Sequence, residues 1–190
     1  CSRQKSAELA DAYPSDRLIS SGGGFVALAE GIPDIRWTMK SSSDIFIADT
    51  KTHRTRRLTR GRRLYAPAMS RDGTRAAAVE FGENNRCALV ILDANSGLPV
   101  TRADAPEDEF YQTPSFTPDG KQIVFTSIVR GRGKSLNVFT IADSSMRTLV
   151  PCGWENIAQP VSDGTSVFYS SDYSGIDNIY AADLAGNRRY

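Results

Sequence analysis

The order of apolar and polar positions repeats along this chain. Short apolar runs stand at Arg75-Ala76-Ala77-Ala78-Val79-Glu80-Phe81, Gln122-Ile123-Val124-Phe125-Thr126 and Ser166-Val167-Phe168-Tyr169-Ser170, each one residue after an Asp-Gly pair. A second set ends in aspartate: Asp44–Asp49, Ala88–Asp93, Asn137–Asp143 and Asn178–Asp183. Runs of this length, bounded by turn residues, predict β-strands. The first set is expected to form second strands and the other set third strands. Fourth strands are expected at Thr55–Thr59, Leu98–Thr101 and Met146–Val150. Helical periodicity is essentially absent from Asp34 onward, and only residues 3–12 have the pattern of a short helix.

The turns repeat with the strands. Asp72-Gly73, Asp119-Gly120 and Asp163-Gly164 lie 47 and 44 residues apart, the period of one four-stranded propeller blade. An earlier, degraded copy is expected to use Phe25–Ala29 as first strand, Pro33-Asp34 as turn and Ile35–Met39 as second strand. The prediction is an all-β chain, a β-propeller with about four four-stranded blades, cut from a propeller of six to eight. Residues 1–22 are expected to be an extension or linker, with repeats near 23–65, 66–111, 112–158 and 159–190. Gly186–Tyr190 would begin a last fourth strand, and stopping there leaves an unpaired edge.

Composition narrows the function. No apolar run is long enough for a membrane-spanning helix, and 23 basic against 22 acidic residues give no whole-chain field for nucleic acid. The cysteines number 3 and lack metal-ligand spacing. If Cys1 is a mature terminus, it is a candidate for lipid modification and so for membrane anchoring. His53, the one histidine, lies among Lys51, Arg54, Arg56 and Arg57, whose charge opposes a protonated general-base cycle. Neither a G-x-S-x-G elbow nor an H-E-x-x-H helix is present. The expectation is a chain without catalytic residues, metal or cofactor of its own. The repeated Asp-Gly pairs are read as turns, with glycine supplying positive φ and aspartate bonding the local backbone.

Local charge points to a binding surface. Seven basic residues lie between Lys51 and Arg63, while Asp104, Glu107, Asp108 and Glu109 cluster one repeat later. Propeller topology would bring Arg60, Arg62, Arg63, Tyr65, Glu109, Tyr111, Arg130, Arg132 and Trp154 to one rim. Arginine and exposed aromatics are enriched in interface anchors, so this rim is the candidate site for a protein or peptide. Mutual pairing of the opposite charges is the competing explanation. The acidic cluster interrupts any basic stripe that nucleic acid would need.

Three segments carry a family resemblance: Arg56–Thr59, Phe116–Phe125 and Ser170–Tyr180. They resemble the TolB-type, WD-like propeller repeat of bacterial envelope proteins, across about residues 23–190. Ser70-Arg71 and Val161-Ser162 stand where the family has Ser-Pro, and Met69, Phe116 or Val161 where it has Trp. The resemblance implies a periplasmic or outer-membrane-associated, non-catalytic binding scaffold. It also fits a substrate-gating propeller of a larger prolyl-oligopeptidase-like serine peptidase, with catalysis outside this chain, or a spacer in a surface protein.

Overall fold

The computed structural model describes residues 14–33, 41–82 and 86–185. Its strands form four antiparallel sheets. In the first, the order is β1 (Pro14–Gly22), β2 (Phe25–Pro33), β3 (Ser41–Asp49) and β4 (Thr55–Arg57). The second is built from β5 (Leu64–Met69), β6 (Arg75–Phe81), β7 (Cys87–Asp93) and β8 (Pro99–Asp104). The third comprises β9 (Glu109–Phe116), β10 (Gln122–Val129), β11 (Gly133–Thr140) and β12 (Ser145–Gly153). The fourth holds β13 (Ala158–Ser162), β14 (Ser166–Ser171) and β15 (Asn178–Asp183) among the described residues. Each sheet is a meander, and successive first strands β1, β5, β9 and β13 lie against one another. This is a propeller with four blades. No helix occurs among the described residues, and the expected helix at 3–12 lies outside them.

The predicted second and third strands of blades two to four are found. β6 matches its prediction residue for residue, and β11 stops at Thr140, short of the expected Asp143. The first blade corrects the prediction. Phe25–Pro33 is its second strand, pairing with β3 from Phe25↔Asp49 to Pro33↔Ser41, and the first strand is Pro14–Gly22, inside the expected extension. The physical cause is a different turn. Gly22 pairs with Phe25 across Gly23-Gly24, both with positive φ (58° and 84°), a two-residue hairpin where later blades use a longer Asp-Gly turn. The proposed second strand at Ile35–Met39, the turn residue Asp34 and the final segment Gly186–Tyr190 lie outside the described residues.

Cores form between blades, which is why the middle strands are apolar on both faces. Ala27, Ile45 and Ile47 of the first blade meet Ala76, Val90 and Leu92 of the second. The second and third share Val79, Leu89, Ile91, Tyr111, Phe125 and Phe139, while Val124, Leu136 and Val138 meet Val167, Tyr169 and Ala182 of the fourth. Full burial of each large side chain contributes about 1.5–3 kcal/mol. Adjacent blades are therefore held chiefly by side-chain packing.

A repeated irregularity sits on the axis. Ala66-Pro67 opposes Ala78, Thr113-Pro114 opposes Phe125, and Gln159-Pro160 opposes Tyr169, two residues against one at each register shift. Ala66, Thr113 and Gln159 adopt positive φ (50°, 44° and 50°), which marks a bulge. The three X-Pro pairs and Leu18–Ser20 of β1 line a cavity of about 250 Å³. Proline lacks an N–H and is confined to strand edges or bulges, and each of these strands is the inner edge of its sheet.

Candidate partner-binding face

Two sets of loops emerge at opposite ends of the blades. One end carries the turns between first and second and between third and fourth strands. The other carries the links from one blade to the next and the loops between second and third strands. Hydrogen bonds show that the latter two classes are neighbours: Phe81 N–H donates to Arg63 O (2.9 Å), Arg130 N–H to Asp108 O (2.9 Å), and Asn156 N–H to the Asp172 carboxylate (2.6 Å).

The Asp-Gly end is built for structure. Asp72 Oδ1 accepts the Ser70 hydroxyl (2.6 Å) and Thr74 N–H (3.0 Å), and these bonds, the Ser70 hydroxyl first, hold its carboxyl down at about 2. Asp119 takes the Thr117 hydroxyl and Lys121 N–H, while Asp163 takes the N–H groups of Ser166 and Thr165. Gly73, Gly120 and Gly164 have positive φ. A cleft of about 200 Å³ has Asp72 and Asp119 in its lining, yet each carboxylate is already engaged by its own turn.

On the opposite rim, the fold divides the basic run of the sequence. Lys51 and Arg54 stay in the β3–β4 turn at the Asp-Gly end. Arg56 reaches the next blade, where its guanidinium donates to Asn95 O (3.0 Å) and Ala94 O. Arg57 pairs with Asp44 (2.6 Å), and Arg62 with Glu80 (2.6 Å). Glu80 also binds Arg102, which in turn pairs with Asp104 (2.9 Å). Arg60 and Arg63 remain exposed.

The blade-linking loop has a buried anchor. The side chain of Asp44 has no exposed surface, and it accepts from Arg57, Thr59 Oγ1 (2.8 Å), Gly61 N–H (2.9 Å) and Arg62 N–H (3.2 Å). Burial pushes its carboxyl up, but the donors, Arg57 first, together hold it below the ordinary carboxylate value. The loop that displays Arg60 and Arg63 is thereby pinned from beneath.

The other predicted rim residues separate into core and surface. Tyr111 is only 1% exposed, edge-to-face with Phe125 (4.7 Å) between blades, and burial pushes its phenol up. It has no place on an exposed binding face. Propeller topology suggested a place on the rim, whereas the strand turns its ring inward. Tyr65 is half-buried against Phe81 (5.5 Å), which stacks on Phe110 (6.4 Å). Glu109 begins β9 and is half-buried. Arg130 is 80% exposed and 3.6 Å from Asp108.

Trp154 is 82% exposed. Its backbone crosses Gly133 so closely that a Cβ there would lie 3.2 Å from Trp154 N, so the segment carrying Trp154 runs against the one carrying exposed Arg132. Tyr173 and Ile176 stand exposed (66% and 68%) on the adjacent Asp172–Asp177 loop. Sequence gives no signal for them, because Asp172, Ser174 and Gly175 have the composition of an ordinary turn. They do form one, with Gly175 N–H donating to Asp172 O (2.7 Å), and Tyr173 sets its ring edge-on to Tyr180 (6.1 Å) while staying largely exposed. The loops that carry Arg132, Trp154, Tyr173 and Ile176 thus meet at one corner of the rim, while Arg60 and Arg63 lie at the other end of the arc.

Cys1 lies outside the described residues. Cys87 is buried beside Tyr111, whose N–H donates to its sulfur (3.3 Å), and burial pushes the thiol up. Cys152 is a half-buried free thiol on β12.

No family model and no curated protein matches the sequence. Solved structures do. TolB from Acinetobacter baumannii superposes with a TM-score of 0.64 at 18% identity, covering 90% of this chain and 42% of that one. The β-propeller domain of the Trilobed protease from Pyrococcus furiosus gives 0.68 at 13%, covering 94% and 56%. Pyrococcus horikoshii acylaminoacyl peptidase gives 0.67 at 12%, covering 95% and 32%. The chain spans about a third to just over half of the length of these proteins. Repeats, blade order and structural likeness converge on one conclusion: this chain has the TolB-like β-propeller fold.

Proposed function

We propose that this chain is a non-catalytic binding propeller that recognises a protein or peptide partner on the rim carrying the blade-to-blade links. The observation that carries the reading is the corner formed by the loops of Arg132, Trp154, Tyr173 and Ile176, where the three large side chains stand 66–82% exposed on neighbouring, hydrogen-bonded segments. Aromatic and arginine side chains on a rigid support are the usual anchors of a protein interface. Arg60 and Arg63 extend the same rim, and Arg130 and Glu109 contribute polar groups between the two ends. Tyr65 and Arg62 support the rim from below, and Tyr111 packs in the core. The likeness to TolB favours a partner in a bacterial cell envelope, in the periplasm or at the outer membrane.

The superpositions on peptidase propellers favour a second reading, in which this rim or the axial cavity gates access to a catalytic domain elsewhere. Photo-crosslinking from a photoreactive residue at position 154 in the native host tests both. A discrete cross-link to another protein supports the scaffold. A cross-link confined to a peptidase domain of the same polypeptide supports gating, and no product from positions 154 and 173 overturns the rim as the binding face.

A further inference from the structure

The outer wall of the first two blades joins free cations to exposed aliphatic side chains. β4 and β8 are the last strands of complete four-stranded sheets, so their outer edges stay open whatever packs on the blade faces. No acidic residue occurs from Thr50 to Arg63. Lys51 and Arg54 stand exposed in the β3–β4 turn, and among the described residues neither pairs with a carboxylate. Arg56 adds its charge beside them while holding the carbonyls of Ala94 and Asn95 in the β7–β8 turn. A Cβ on Gly97 of that turn would collide with Leu58 O, so the turn lies along the first blade's edge from Arg56 to Leu58. Leu98 and Val100, which leave it, are 66% and 56% exposed. Asp49 and Asp93 end the third strands one position inside, and each carboxylate is bound into its own turn, by Lys51 N–H (2.7 Å) and Ser96 N–H (2.7 Å).

We propose that this wall docks on the surface of a lipid bilayer that carries anionic headgroups. Such a surface attracts cations within a Debye length, and aliphatic side chains gain by entering the boundary between headgroups and acyl chains. Both kinds of group stand together here. Basic residues on an edge strand also deter sheet pairing, which accounts for β4 but gives Leu98 and Val100 on the next edge no role. An acidic protein would use the cations alone. A nucleic acid would stack on exposed aromatics, and from Lys51 to Val100 the large exposed side chains of the described residues are Leu98 and Val100 themselves. The wall lies apart from the corner that carries Trp154, so the proposal is independent of the partner-binding reading.

Co-sedimentation of the 190-residue chain with vesicles tests it at low salt. The chain is expected to bind vesicles of phosphatidylglycerol and phosphatidylcholine in equal parts, and not pure phosphatidylcholine. Arg54→Glu should weaken binding at least about tenfold, and Leu98→Ser should weaken it as well. Lys121→Glu makes the same change in net charge on an exposed turn of the third blade and should leave binding unchanged. Thermal melting checks the fold of each variant, and Lys51→Glu replaces Arg54→Glu if the latter melts early. Equal binding to both vesicle types, no binding to either, an equal loss from Lys121→Glu, or indifference to Leu98→Ser overturns the proposal. Retention on poly-glutamate without binding to vesicles also overturns it and marks an acidic protein as the occupant.

Discussion

The guanidinium of Arg56, on the last strand of the first blade, donates to the carbonyl of Ala94 in the turn of the second. The third and fourth blades repeat the device, with Arg147 donating to Leu184 O. Arg56 pairs with Ile47 and Arg147 with Val138, so both occupy the same place in their repeats, and Ala94 and Leu184 each follow the aspartate that ends a third strand. Packing joins the blades near the axis, whereas these arginines tie their outer edges.

Arg56→Ala is expected to cost about 1 kcal/mol, the scale of a charge-assisted bond discounted for solvent exposure. In a chain of this size that lowers Tm by about 2–4 °C. Arg56→Lys should recover little, because a lysine cannot span the carbonyls of Ala94 and Asn95 with a planar fork. Thermal denaturation of the two variants checks this, and full recovery by lysine would contradict it.

Asp44 should make stability fall in acid. Its folded-state carboxyl titrates below the ordinary value, so its contribution is complete above the unfolded pKa of about 4 and disappears as pH falls through the lower folded value. Asp44→Asn removes the charge that Arg57 pairs with and turns an amide toward N–H donors. The expected loss is about 3 kcal/mol at neutral pH, with a flatter acid limb than wild type. Urea denaturation at pH 7 and pH 3 measures both.

Two glycines with similar dihedral angles should respond differently to alanine. Gly73 (φ 74°) lies against the first blade, and a Cβ there would sit 2.9 Å from Gly23 Cα. Gly120 (φ 67°) would meet nothing within 4 Å. Gly120→Ala is expected to cost about 1–2 kcal/mol from the left-handed backbone alone. Gly73→Ala should cost more, because two backbones must separate. Equal losses on denaturant titration would show that the contact between turns is not maintained in solution.

Tyr111 and Trp154 should separate stability from binding. Tyr111→Ala removes a buried ring between the second and third blades and is expected to cost about 3–5 kcal/mol. Trp154→Ala removes an exposed indole and should change stability by less than about 0.5 kcal/mol, while abolishing the cross-link expected from the adjacent position 173. A binding defect in Trp154→Ala accompanied by a large drop in Tm would argue for packing instead.

The middle strands were legible because blades bury both of their faces, leaving apolar runs such as Ala88–Leu92 that no turn interrupts. The inner strand of the first blade was not, since Leu18–Gly22 is short of apolar residues and its Gly23-Gly24 hairpin lacks the aspartate that marks the later turns. Topology alone was enough to place Arg63, Arg130 and Trp154 on one rim. It was not enough to separate Arg62, tied to Glu80 across the register of another strand, from Arg63 beside it. Tyr111 shows the same limit: composition around it is acidic, but alternation along β9 decides where the ring points.

The prolines of the inner strands bear on what can be recognised along the axis. Around the axial cavity, three of the four inner strands present an edge interrupted by a residue without an N–H and by a left-handed kink before it. Such edges offer no continuous ladder of main-chain bonds, the mode that holds almost any extended sequence. An extended segment laid in this cavity would be held by side-chain shape and chemistry, and far less by main-chain pairing of the kind a plain strand edge offers to any sequence.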